Sequence, residues 1–220
     1  MESNLACLLE AGTATISDVF DNRKQLPLIL DNGLFPVTGP GTRFVGPCYP
    51  ISGALEKWAG GADRAKLAAI DEMPPGIVAL WAGRDMRGMC CFGDILAEAM
   101  KARGCAGVVV DGGIRDIAFL RNLGLPMMAR YCSPASSRDR WRVVEKQVPV
   151  QVRGALIDWI TVYPGDIIVA DDDGVIVVPK LLVEDVTIRV RKWSKEDSES
   201  REDVRRGVRL LEVIEKYGHL

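Results

Sequence analysis

Three charged residues, Asp94, Arg115 and Asp116, have side chains that can bind a small anion and a metal ion together. An Arg guanidinium donates paired hydrogen bonds to a carboxylate, and Asp oxygens are ligands that hard divalent cations prefer. Arg115 and Asp116 follow an apolar run at residues 106–110, and α/β proteins commonly place their sites just past the end of a core strand. The alternative interpretation is an ordinary surface ion pair after a turn.

The segments around these residues predict one α/β unit. Residues 95–103 repeat apolar side chains at helical spacing, and Gly104 is a natural C-terminal stop. The β-branched run at residues 108–110 predicts a short buried strand, and Gly112 and Gly113 predict a sharp turn where that strand leaves the sheet. Because a helix and the strand that follows it run antiparallel, the helix start is expected near the strand end.

This arrangement predicts an anion site beside Arg115. The first N–H groups of Ile95 and Leu96 are expected to face Arg115, and a helix N-terminus attracts anions through such groups and through its dipole. Asp94 and Asp116 would supply oxygen atoms for a metal ion and its waters. The predicted site therefore binds a small carboxylate next to a divalent cation.

The scarcity of histidine limits the chemistry that the chain can perform. The single histidine is His219, which argues against a Ser-His-Asp triad, a His-ligated zinc site, a His general base and a phosphohistidine carrier. The six cysteines include no Cys-x-x-Cys pair, so they are interpreted as buried thiols. The expected metal is therefore a hard, oxygen-seeking ion, Mg²⁺ or Mn²⁺.

The composition is that of an ordinary globular protein and indicates no polymer or membrane partner. The 220 residues are 48% hydrophobic and carry a net charge of −2 without a basic stripe, so no nucleic acid partner is expected. No apolar run approaches the roughly 20 residues that span a bilayer, so no membrane partner is expected either. The N-terminal residues lack the features of a signal peptide, and the expected location is cytoplasmic.

The rest of the chain predicts strands around this unit and a helical end. A strand with bulges or at a sheet edge is expected at residues 44–51, and residues 167–178 predict a hairpin. From residue 181 onward the pattern predicts one long charged helical tract. Its most polar part is either a solvated helix face or a segment that lies on a neighbouring subunit.

Asp94, twenty intervening residues and then the Arg115-Asp116 pair resemble the Asp-x20-Arg-Asp signature of the RraA-like family. That family includes divalent-metal-dependent 4-hydroxy-4-methyl-2-oxoglutarate/4-carboxy-4-hydroxy-2-oxoadipate aldolases and is also named for a regulator of ribonuclease E activity. The resemblance extends over most of the chain, through further motifs at residues 13–18, 43–47, 164–166 and 171–179.

The resemblance implies an α/β fold of the RraA-like type, a layered β/β/α sandwich similar to swivelling domains, with a C-terminal helical tail. Residues 1–180 would form the core, and residues 181–220 a helical extension that packs on a neighbouring subunit. It also implies a homotrimer or homohexamer with its sites between subunits.

The resemblance further implies a role for each residue of the signature. Asp116 would hold Mg²⁺ or Mn²⁺, and Arg115 would bind a 2-oxo acid and stabilise its enolate. The turn formed by Gly93, Ile95 and Leu96 would bind the substrate carboxylate.

The resemblance assigns the remaining acids to proton transfer and to the neighbouring subunit. Asp94 would position a water for proton transfer. An acid from a neighbouring subunit, with Glu196 and Glu199 as candidates, would complete the site. The chain departs from the aldolase pattern at Phe119, where family aldolases often carry an acid.

These roles predict a metal-dependent pyruvate aldolase with oxaloacetate decarboxylase activity. The alternative is a non-enzymatic regulator that binds ribonuclease E or a helicase. A Schiff-base mechanism requires a desolvated lysine, and the lysines lie in polar or helical contexts that do not favour it. A second substrate carboxylate could be bound by Trp58, Arg84, Arg138 or Arg140.

Overall fold

A computed structural model describes residues 1–57, 61–83 and 86–218 of the chain. Six α-helices occur in these ranges: α1 Glu2–Asn22, α2 Arg64–Asp71, α3 Asp94–Ala102, α4 Ile117–Leu123, α5 Val183–Arg205 and α6 Leu210–Tyr217. The strands are β1 Leu28–Ile29, β2 Phe35–Pro36, β3 Phe44–Leu55, β4 Val78–Ala82, β5 Gly107–Ile114, β6 Met127–Cys132, β7 Trp141–Lys146, β8 Val150–Arg153, β9 Trp159–Val162, β10 Ile167–Asp171 and β11 Gly174–Val178. No helix of the described ranges is both long and apolar enough to cross a membrane.

One mixed sheet organises the fold, in the order β1-β11-β10-β3-β4-β5-β6-β2, with β7 paired to β3. Strands β3, β4, β5 and β6 are parallel neighbours, and α3 and α4 connect β4 to β5 and β5 to β6. The expected strand at residues 44–51 is thus central in the sheet and not at an edge. The register shift in its pairing with β7, between Ser52 and Gly53, lies just past the predicted range.

Both faces of the central strands are buried, which makes the fold a layered β/β/α sandwich. On β4, Ala79 and Trp81 face one core, whereas Val78 and Leu80 face another. The first core lies beneath α2, α3 and α4, and the second is closed by the β8–β9 hairpin. Strands buried on both faces require continuous apolar runs of this kind. The expected fold class is confirmed.

Strand β5 does not leave the sheet at its glycines, so the predicted turn is wrong. The strand continues to Ile114 through a register shift between Val110 and Gly113. A Cβ atom built on Gly113 would lie 2.4 Å from the carbonyl oxygen of Met89 and 2.4 Å from the ring of Tyr131. This glycine is therefore required by the close approach of neighbouring chain, and it does not mark a turn.

The C-terminal tract consists of two helices, because the chain turns at Gly207, which has a φ of +88°. Val183, Val186 and Val190 of α5 pack in one core with apolar residues of α1, β10 and β11. The first half of α5 thus covers the core of its own chain, whereas contact with a neighbouring subunit stays a prediction.

Asp203 attaches α6 to α5. Its carboxylate accepts hydrogen bonds from Lys216 Nζ at 2.8 Å and the Tyr217 hydroxyl at 3.0 Å, and also pairs with Arg206. The bonds from Lys216, Arg206 and Tyr217 lower the pKa of Asp203 from 3.8 to about 2. Since the folded-state pKa is depressed, this stabilisation is complete above the unfolded value and is lost as the pH falls through about 2.

We therefore expect α6 to lose amide protection in acid before β5 does. Hydrogen exchange between pH 5 and pH 2 measures this order, and Asp203→Asn should reproduce the loss at neutral pH. Glu199→Gln is the matched control, because Glu199 pairs with Lys195 on the surface of the same helix. Equal protection of α6 at both pH values would contradict the attachment.

Candidate active site

A pocket of about 320 Å³ lies where α3 begins and β5 ends. Its walls are the segment before α3, the first turn of α2 and the loop at residues 133–140, with Trp141 at the start of β7. Because β4 and β5 are parallel, the start of α3 and the end of β5 lie at the same sheet edge, as the sequence predicted. Among the predicted residues, the pocket is lined by Gly93, Asp94, Ile95, Leu96 and Arg115.

Asp116 contacts the first turn of α3 and holds it by a hydrogen bond. Its Oδ2 accepts a hydrogen bond from the Asp94 N–H at 3.1 Å and lies 3.5 Å from Arg115 Nε. A Cβ atom on Gly93 would lie 2.0 Å from that oxygen, so any other residue there would displace the Asp116 carboxylate. Asp116 itself has a φ of +62°, a left-handed conformation that Asp tolerates better than most residues.

The first turn of α3 differs in one respect from the prediction. The Ile95 N–H is not free, because it donates to Asp94 Oδ1 at 2.7 Å. The Leu96 N–H belongs to the same turn, whose N–H groups have no intrahelical acceptor. A bound carboxylate can use the Leu96 N–H directly, but it can use the Ile95 N–H only if the Asp94 side chain rotates.

The acids expected from a C-terminal helix are distant from this pocket within one chain. Glu196 and Glu199 lie on α5, pair with Lys192 and Lys195, and do not line the pocket. Their contribution from a neighbouring subunit stays a prediction. Phe119 is 44% exposed on α4, at the position where the aldolase pattern has an acid.

The donor set near Arg115 fits a hydrated hard cation. Among the described residues, no three His, Cys, Asp or Glu side chains form a metal-binding cluster. Asp94 and Asp116 offer two carboxylates, and Mg²⁺ is commonly held by one or two carboxylates while it keeps several waters. The residues present therefore suit Mg²⁺ or Mn²⁺ and do not suit a fully protein-ligated zinc.

The cysteines of the pocket are not nucleophiles. Burial raises the pKa of the Cys91 thiol to about 12, and burial also raises the pKa of Cys90, although Arg115 and Lys66 oppose this. Both thiols are therefore protonated at neutral pH, and the protonated form is a poor nucleophile. This agrees with their interpretation as buried thiols.

Sequence reasoning missed Lys66, a buried lysine in the pocket wall, and the expectation that the lysines lie in contexts unsuited to desolvation is wrong for this residue. Lys66 is 8% exposed, and burial lowers its pKa, although Cys91, Asp63 and Cys90 act in the opposite direction. The available signal was its spacing, since Lys66 lies three and four residues before the buried Ala69 and Ile70 and thus on the inner face of α2.

The structure describes two of the four residues that were suggested to bind a second substrate carboxylate, Arg138 and Arg140. Arg138 lines the pocket. Arg140 does not line it, and its guanidinium donates to the Ser136 carbonyl at 3.0 Å. Trp58 and Arg84 lie outside the described residues, as does His219.

Comparisons with known proteins place this chain in one family. Residues 13–177 match the RraA-like family model, described as Aldolase/RraA. A Halalkalibacterium halodurans protein named "Putative 4-hydroxy-4-methyl-2-oxoglutarate aldolase" is 32% identical over 86% of this chain and 82% of its own length. Protein DlpA of Legionella pneumophila is 28% identical over 87% of this chain, which spans only 30% of DlpA.

A solved structure gives the same result. The crystal structure of Streptomyces coelicolor RraAS2, described as an unusual member of the RNase ES inhibitor RraA protein family, superposes with a TM-score of 0.77. The sequence identity is 26%, and the match covers 90% of this chain and 96% of RraAS2. The chain described here belongs to the RraA-like family.

Proposed function

We propose that this protein is a divalent-metal-dependent carbon–carbon lyase that cleaves a 4-hydroxy-2-oxo acid through a pyruvate enolate. Its substrate class would include 4-hydroxy-4-methyl-2-oxoglutarate, and the same chemistry would decarboxylate oxaloacetate. One observation supports this most: a single pocket contains Arg115 and the first turn of α3, and Asp116 contacts both. The relative named as an aldolase adds support from sequence.

The chain's own residues can bind and polarise a 2-oxo acid. The substrate carboxylate would accept from the Leu96 N–H at the positive end of α3. Arg115 would donate to the 2-oxo oxygen, which becomes negatively charged when the bond between C3 and C4 breaks. Donors fixed where charge develops are commonly the largest single contribution to catalysis.

Proton transfer in this scheme needs no histidine. The 4-hydroxyl loses its proton as C4 becomes a carbonyl carbon, and C3 of the enolate then gains one. Asp94 would hold the water that carries these protons. A divalent metal bound at Asp116 would supply Lewis-acid stabilisation of the enolate oxygen. In oxaloacetate, carbon dioxide leaves in place of the carbonyl product, and the same enolate remains.

A second candidate is a non-enzymatic regulator of an RNA-processing enzyme. The likeness to RraAS2, whose description names an RNase ES inhibitor family, favours this candidate. Phe119, which replaces an acid and is exposed, also suits a contact surface better than a proton-transfer site. Retention of a ribonuclease or helicase in a pull-down, together with no turnover of any 2-oxo acid, would support it.

The metal requirement tests the lyase proposal. We expect pyruvate release from 4-hydroxy-4-methyl-2-oxoglutarate or oxaloacetate with Mg²⁺ or Mn²⁺, loss of release in EDTA, and recovery when excess metal is added. A lactate-dehydrogenase-coupled assay measures pyruvate directly, and samples with metal but no protein give the background. Turnover that is unchanged in EDTA would contradict the metal requirement.

A further inference from the structure

Lys66 extends its ammonium group into the pocket wall. Its Nζ donates to the Cys91 carbonyl at 2.8 Å and to Ser137 Oγ at 3.3 Å, and it lies 5.1 Å from the centre of the Trp141 ring. Cys91 stands two residues before Gly93, and Ser137 belongs to the loop at residues 133–140, which also lines the pocket. Lys66 thus connects three walls of one site.

Among the described residues, the ammonium of Lys66 has no carboxylate within hydrogen-bond distance. The nearest carboxylate, Asp63, lies 4.0 Å from Nζ, beyond hydrogen-bond distance. Both Asp63 oxygens already accept from backbone N–H groups, Oδ1 from Lys66 at 3.1 Å and Oδ2 from Val143 at 3.0 Å. The direct acceptors of Nζ are therefore a neutral carbonyl and a neutral hydroxyl, and a desolvated cation without a direct anionic partner favours an anionic ligand.

One donor of the ammonium remains for a ligand. An ammonium has three N–H groups, and among the described residues only the two acceptors named above lie within hydrogen-bond distance of Nζ. Arg115 lines the same pocket as Lys66. Burial raises the pKa of the Cys90 thiol and both cations oppose this rise, so Cys90 lies close to each of them. Since the proposed function assigns Arg115 to the 2-oxo oxygen and the first turn of α3 to one carboxylate, Lys66 is a separate cation that suits a second anionic group.

We propose that Lys66 is a specificity-determining residue that binds the second carboxylate of a 2-oxo diacid, the one that the first turn of α3 does not bind. This proposal rests on the proposed binding of 2-oxo acids in the same pocket. With Lys66 in this role, the site would bind diacids more tightly than monoacids of equal length. This selectivity would come from a buried residue of α2 and not from the exposed Arg138.

Equilibrium binding tests the proposal without any turnover. The probes are 2-oxoglutarate and 2-oxopentanoate, which share a five-carbon chain and differ in the second carboxylate. Isothermal titration calorimetry with Mg²⁺ should show that Lys66→Met weakens 2-oxoglutarate binding about tenfold to about a hundredfold, as expected for a charge-assisted hydrogen bond. Binding of 2-oxopentanoate should change less than about twofold, which also shows that the variant is folded.

Matched variants separate loss of the Lys66 charge from a general disturbance of the packing between α2 and β7. Lys146→Met removes another lysine that joins α2 to β7, since its Nζ contacts the Ala68 carbonyl and Glu72, but Lys146 does not line the pocket. Lys146→Met should retain the diacid preference, whereas a loss confined to Arg138→Met would overturn the assignment.

The wild-type protein gives a second test that needs no variant. The diacid preference should fall as the pH rises through the lowered pKa of Lys66. The titratable groups that face Lys66 are Asp63, at the start of α2, and Cys90 and Cys91, on the segment before α3. The pKa values of both thiols are raised, so neither thiol loses its proton near neutral pH. A preference that stays constant while the Lys66 ammonium loses its proton would overturn the proposal.

The outcomes distinguish this proposal from the lyase proposal. Diacid preference lost in Lys66→Met, with no cleavage of any oxo acid, would uphold the role of Lys66 and reject the lyase. Cleavage of an oxo acid, together with an equal effect of Lys66→Met on the binding of both probes, would uphold the lyase and reject the role of Lys66. If the wild-type protein does not bind 2-oxoglutarate more tightly than 2-oxopentanoate, the role of Lys66 is rejected whatever the turnover.

Discussion

Replacing Arg115 by Ala is expected to lower kcat/KM for pyruvate release about a hundredfold to a thousandfold, the usual effect of removing a donor to a developing oxyanion. Arg115 lines the pocket and is the cation next to both Asp116 and the first turn of α3. Arg115→Lys should restore little activity, because an ammonium lacks the planar fork of donors. The measurement is oxaloacetate decarboxylation at saturating Mg²⁺.

Arg121→Ala is the control for this experiment. Arg121 lies on α4, a few residues after Arg115, and its Nε donates to the Val37 carbonyl outside the pocket. Its replacement should leave kcat/KM within about twofold of the wild type, in line with the small effects of most surface substitutions. Full activity of Arg115→Ala would remove the basis of the proposed mechanism.

Replacing Asp116 by Asn is expected to abolish metal-dependent turnover and to weaken Mn²⁺ binding at least about tenfold, since a neutral amide is a poorer ligand for a hard cation. Asp116 also orients the turn through the Asp94 N–H, a bond that the Asn side-chain oxygen can still accept. Mn²⁺ binding, followed by electron paramagnetic resonance, therefore separates loss of the metal from loss of the turn.

Asp71→Asn is the matched control for Mn²⁺ binding. Asp71 is an exposed acid at the end of α2 that pairs with Arg103 and does not line the pocket. It should bind Mn²⁺ as the wild type does. Equal Mn²⁺ affinity in Asp116→Asn and the wild type would place the metal elsewhere.

The sequence predicted the elements that are determined by local pattern. Apolar periodicity and β-branched residues predict helix α3 and strand β5, and their antiparallel connection predicts that Asp94 lies near Asp116, as the structure shows. The layered fold was expected from the family resemblance. These features depend on short-range signals or on motifs whose order is specific.

The errors arose where the reason for a residue lies far away in the chain. Gly113 resembles a turn residue, but it is required by the close approach of Met89 and Tyr131. Lys66 resembles a solvated helix residue, but Ser137 and Trp141, about seventy residues later, bury it. Local periodicity cannot identify the residues that contact Gly113 or Lys66, because these contacts depend on the packing of the loop and strands around the pocket.

Proton exchange at C3 of pyruvate tests the central claim most directly, because it reports enolate formation whatever the natural substrate is. In D₂O with Mg²⁺, the protein should accelerate loss of the pyruvate methyl signal, followed by proton nuclear magnetic resonance, above the rate with metal alone. The acceleration should disappear in Arg115→Ala. Exchange no faster than the metal-only background, or equally fast in Arg115→Ala, would contradict the account.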